Sequence, residues 1–322
     1  MIREENKAKA YFAAIVAMYV SISFILSFVP QKFLTSEMSI LLGQSIVIIP
    51  GITYCILNKG ATFKMIPFKK VSILNVILIV LFTYAIMPIV TLINAISMLF
   101  VENQVSDVLS DFNKNPLLLS LFMVAVLPAV FEEFSFRGII YNGLKTKNVL
   151  LALIMSSMLF GIFHMNINQF LYATVLGMVL VLIAEATGSV ISAMIMHFTF
   201  NANSVILTYL LAWLEDVADE MDMSANAEQI AEETAQVESS LGVVIGVYAV
   251  MGMITGTLAF FLFRCIAKRC DRWEHIKSIF TSKKLVKEEK KKLQAQDIVC
   301  NILLVMAIIV AILVMIISEI AV

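Results

Sequence analysis

The stretch LLLSLFMVAVLPAVFEEFSFRG, residues 117–138, decides how the whole chain is read. It opens as an uncharged run, apolar to about Val130, and then carries Glu132, Glu133 and Arg137 within what spacing predicts is the same helix. An ionisable side chain at membrane depth costs about 2.5–3.5 kcal/mol on insertion scales, so such residues are retained for a purpose. The question is whether the rest of the chain makes this segment a membrane span.

Composition says that it does. Of 322 residues, 60% are hydrophobic and 15% charged, with a mean hydropathy of +0.92. Soluble domains are about half apolar and a quarter charged. Working outward from 117–138, nine apolar segments can be marked, at roughly 11–30, 37–57, 72–100, 115–144, 148–166, 168–186, 189–212, 241–263 and 298–319. The first is too long for a signal-peptide core and follows Arg3, Lys7 and Lys9, so it reads as a span. The fold class expected is all-α, a polytopic helix bundle of about nine spans around an interior polar cavity.

Charge partition supports the count. With the N-terminus inside, 21 of the 23 Lys and Arg residues fall on the cytoplasmic side and only Lys32 and Lys114 outside. The expected placement is a multi-pass protein of the cell membrane, N-terminus cytoplasmic and C-terminus extracytoplasmic. The expected organisation is three helices in 1–114, a four-helix core in 115–212, an acidic outer loop in 213–240, and two helices in 241–322 flanking a basic loop at 264–297. Nine acids and no Lys or Arg occupy 215–238, which reads as a solvated helical loop. The basic residues of 264–292 read as a topology anchor that also meets anionic lipid headgroups. Cys55, Cys265, Cys270 and Cys300 lack a metal or redox spacing and are expected to be reduced and structurally neutral. Nothing points to nucleic acid, and no internal repeat supports a transporter.

Buried polarity concentrates in segments four, five and seven. Glu133 and Arg137 stand at i and i+4 and can pair, which leaves Glu132 without a cation on its own helix face. Burial disfavours the charged form of such a leftover carboxylate, which suits a general base. Pro128 frees the carbonyl of Val124 four residues before it, predicting a kink beside the carboxylates. Of three histidines, His164 and His197 lie in spans. His197 shares a helix face with Asn201, and Phe160 stands one turn before His164, where it restricts the imidazole or walls a pocket.

Glu-Glu-x-x-x-Arg at 132–137, Phe-x-x-x-His at 160–164 and His-x-x-x-Asn at 197–201 resemble the CPBP family of intramembrane proteases. That family joins type II CAAX prenyl endopeptidases with bacterial proteins of bacteriocin processing and self-immunity, the Abi group. Tyr172-Ala173, Gly177 and Thr187-Gly188-Ser189 agree with it, and the resemblance covers about 118–205. It implies a bundle of about eight helices around a water-containing cavity. It further implies that Glu132 and His164 activate a water while His197 and Asn201 stabilise the oxyanion, with Glu133, Arg137 and Phe160 in support.

Family members have also been described as zinc proteases, so the metal question stays open. A cofactor-free glutamate mechanism is favoured, and if zinc is present its ligands would be Glu132, His164 and His197. The expected partner is a membrane-associated peptide or protein substrate. The alternative is a non-catalytic immunity or scaffold protein that holds a peptide partner in the cavity.

Overall fold

The computed structural model describes residues 3–30, 33–58, 61–101, 115–146, 148–220, 241–281 and 295–320. Its helices are α1 (Glu4–Leu26), α2 (Ser36–Leu57), α3 (Ala61–Met65), α4 (Ile73–Ser97), α5 (Leu117–Leu144) and α6 (Val149–Phe163). They continue as α7 (Ile167–Thr187), α8 (Val190–Glu220), α9 (Leu241–Arg269), α10 (Trp273–Thr281) and α11 (Ala295–Ile320). No strand occurs among the described residues. Eight helices are long and apolar enough to cross a membrane, and α6, with 15 residues, is apolar but shorter. The chain is a multi-pass membrane protein built as a helical bundle.

Local signals set the helix ends. Asn148 accepts from the Leu151 N–H at 3.0 Å to start α6, and Asn166 accepts from Gln169 at 2.9 Å to start α7. Gly188, at φ +70, supplies the left-handed residue that ends α7. Only residues 164–166 separate α6 from α7, and Met165 turns the chain there at φ +50. The apolar segments 148–166 and 168–186 are therefore a tight helical hairpin.

Helix directions follow from contacts between distant residues. Asn6 donates to Asp297 at 2.7 Å and Lys9 to Asn301 at 2.7 Å, so α1 and α11 run parallel from the same end. At that end Ser189 donates to the Lys69 carbonyl and Arg269 to Asn75. Among the described residues, α6 added to the eight long helices gives an odd number of apolar helices, in keeping with parallel first and last helices. The described parts of the basic segments thus gather at the N-terminal end. The helix α8 runs on to Glu220, beyond the apolar segment ending at 212, because a helix leaving the apolar layer needs no apolar residues to continue. The rest of the acidic segment, 221–240, lies outside the described residues, as do 282–294 of the basic one. The described cysteines are all free thiols.

One buried charge was not anticipated. Glu185 lies in segment six, which the sequence reading treated as free of ionisable groups, and it is only 6% exposed. Its carboxylate accepts from Tyr141 at 3.0 Å, Lys145 at 3.2 Å, Arg272 at 2.8 Å and His275 at 2.7 Å. Arg272 also donates to the Glu185 carbonyl. This single side chain fastens α5, α7 and the amphipathic α10 together, with Ile276 and Ile279 buried beneath. We expect Glu185→Ala to leave Lys145, Arg272, His275 and Tyr141 without the acceptor they share. The midpoint of thermal unfolding in detergent should fall by several degrees, and protease cutting near 270–281 should quicken.

Candidate active site

The site is built around a departure from regular helix in α5. Turns of π-helix at Leu121–Val126 and Phe134–Tyr141 flank the α-helical Leu127–Glu133. Pro128 has no N–H to give back to Val124, and the freed carbonyl accepts instead from the Asn201 amide at 3.1 Å. The defect in α5 thereby fixes the register of α8, which carries His197 one turn earlier.

Glu133 is fully buried and its Oε1 accepts from Arg137 at 2.7 Å and from His197 Nδ1 at 2.8 Å. Arg137 donates also to the Gly177 carbonyl at 3.2 Å, and its guanidinium lies 4.2 Å over the Phe160 ring. Phe160 in turn meets His164 edge-on at 4.8 Å and His197 at 6.0 Å. His164 follows the last residue of α6, and its Nδ1 is 2.8 Å from the Phe160 carbonyl. A carbonyl and a carboxylate can only accept, so both histidines carry the proton on Nδ1 and leave Nε2 for other partners. Each imidazole is held from behind by a fixed acceptor, an arrangement that sets ring orientation.

Glu132, His164, His197 and Asn201 line one cavity of about 440 Å³, together with Phe160 and Gln44. The arrangement brings all four proposed catalytic residues to one space, although they come from two helices and a turn. Glu132 makes no hydrogen bond to His164 among the described residues. Its Oε1 accepts instead from Gln44 at 3.3 Å. The sequence reading missed Gln44 because it attended to ionisable groups. The available signal was an amide set between Leu42 and Ile46 in an otherwise apolar span.

The zinc alternative can be tested on the same geometry. Among the described residues, no three His, Cys, Asp or Glu side chains gather as a metal-ligand group. In this arrangement Glu132, His164 and His197 face a common cavity without converging on a point.

A family model for type II CAAX prenyl endopeptidase Rce1-like proteins matches residues 114–203. Over those residues the chain is similar to that family, in keeping with the CPBP resemblance of its motifs. The match covers α5 to the first half of α8, which supplies most of the cavity's lining. The match supports, in general terms, a CAAX-type intramembrane protease core over those residues. No curated protein and no solved structure matches the chain. The helices before and after the Rce1-like core are outside the match, yet α2 supplies Gln44 to its cavity.

Proposed function

We propose that the chain is an intramembrane endopeptidase that hydrolyses a peptide bond in a membrane-associated protein or peptide, using a glutamate-activated water. The observation that carries this reading is the pairing, on one cavity, of a carboxylate with no cation of its own and two imidazoles presenting Nε2.

In this reading Glu132 takes a proton from a water that also donates to His164 Nε2. The water oxygen attacks the scissile carbonyl carbon. His197 and Asn201 stabilise the developing oxyanion, Asn201 through the amide hydrogen that Val124 does not take. Glu133 holds the His197 ring from behind and pairs with Arg137. Glu132 then returns its proton to the leaving amine as the C–N bond breaks. A positioned base contributes about 10²–10⁴ in rate. The substrate proposed is a leader peptide, a peptide pheromone or bacteriocin, or a regulatory membrane protein, drawn from a cell membrane whose anionic headgroups meet the basic 264–292 segment. The four-part division at 114, 212 and 240, with N-terminus inside and C-terminus outside, completes the proposal.

The test compares protein and peptide termini in host cells carrying wild type or Glu132→Gln at matched expression. We expect a set of termini present only with the wild type. Identical termini in both strains, with a host phenotype lost on His197→Ala, would overturn the protease reading in favour of a peptide-binding scaffold.

A further inference from the structure

We propose that Gln44 is a positioning residue for Glu132 and that its carbonyl oxygen receives a backbone N–H of the peptide drawn into the cavity; this rests on the endopeptidase reading. Gln44 is 8% exposed, on α2, a helix that the resemblance and the family match do not reach. Its Nε2 donates to Glu132 Oε1. Chemistry fixes the orientation of the amide, because the reverse would press two acceptors together. The Gln44 Oε1 is then buried with no hydrogen-bond partner. A buried acceptor left unmade is destabilising unless something arrives to fill it.

What could arrive is constrained by the walls. Gly43, the preceding residue, also lines the cavity, and a Cβ added there meets nothing within 4 Å. Bare backbone beside an unfilled acceptor leaves room for an extended chain and offers its N–H a partner. The cavity is also lined by His164 after α6, Tyr19 from α1, Gln169 and Tyr172 from α7, and His197, Asn201 and Ser204 from α8. Of the three amides, Asn201 donates to the Val124 carbonyl and Gln44 is the one that donates to Glu132. With Nε2 held by Glu132 and Oε1 held by the substrate, one side chain ties the base to the scissile strand.

The test uses the full chain purified in detergent and a synthetic peptide spanning the strongest wild-type-only terminus, with one backbone N-methyl group placed at each position in turn. Gln44→Met keeps the bulk and removes both polar atoms, and we expect its kcat to fall about tenfold or more. One N-methyl position should lower wild-type kcat/KM about tenfold and leave Gln44→Met unaffected. Gln44→Glu keeps an acceptor without the donor, so its kcat should fall while the N-methyl penalty persists; it serves also if the methionine variant fails to fold. An unchanged kcat in both variants would overturn the positioning role while leaving the protease reading intact. An N-methyl penalty equal in wild type and Gln44→Met would overturn the acceptor role. Absence of wild-type-only termini would overturn the protease reading and this inference with it. Gly43→Leu gives a steric check. It should cut kcat/KM at least tenfold by filling the cavity, with an unchanged elution volume because no neighbour is displaced.

Discussion

Glu133→Ala is expected to unfold the chain, whereas the neighbouring Glu132→Gln should leave it folded and inactive. The two carboxylates are adjacent in sequence but serve different neighbours. Glu133 is 0% exposed and holds both Arg137 and His197. Removing it strands a guanidinium that is 1% exposed in an apolar interior, and breaking a buried pair in this way costs about 3–5 kcal/mol. Arg137 Nε and Glu133 Oε2 already lack partners, so the cluster has no spare hydrogen bonds to fall back on. The measurement is the fraction of monodisperse protein after heating in detergent, which should collapse for Glu133→Ala. Replacing the pair together, as Glu133→Leu with Arg137→Met, should recover much of the fold without recovering cleavage. A Glu133→Ala protein as heat-stable as wild type would show that the cluster is dispensable for folding.

The second large effect is expected at Gly161. A Cβ there would lie 2.1 Å from Thr174 Oγ1 and 2.6 Å from the Phe170 carbonyl, and the second of these is backbone that cannot rotate away. Gly161→Ala must therefore push α6 from α7. Overpacking usually costs about 1–3 kcal/mol, and here the displaced helix ends at His164. Cleavage should fall by at least a hundredfold even in preparations that remain folded, since a 1 Å misplacement of a reacting group is enough for that. Wild-type activity in Gly161→Ala would mean that the hairpin can shift without moving the imidazole.

How far the sequence could be read depended on the range of each interaction. The spans were legible because apolar runs near 20 residues have one physical home, and the Glu133–Arg137 pair was legible because i and i+4 are neighbours on any helix. Pro128 told which carbonyl would be freed. That Asn201 would take it could not be read, because the two meet across 77 residues of chain. The same limit hid the sharing of Glu133 with His197, which spacing assigned to Arg137 alone. Periodicity at 3.6 residues also fails where α5 widens into π-turns, so the depth of Glu132 could not be counted along the chain. Glu185 was missed for another reason. It sits at the last turn of an apolar run, where hydropathy averages it away, and its donors come from residues 141, 145, 272 and 275.

The shortness of α6 has a consequence for the lipid itself. Fifteen residues rise about 22 Å, well below the roughly 30 Å of bilayer hydrocarbon. His164 and the turn after it therefore end several ångströms short of the far interface, and the bilayer must dimple or water must follow the turn inward. Either response thins the apolar barrier beside the cavity on one flank only. Cleavage is therefore expected to fall as acyl chains lengthen, measured in vesicles of graded chain length, because thicker membranes press hardest on the hairpin that holds the histidine.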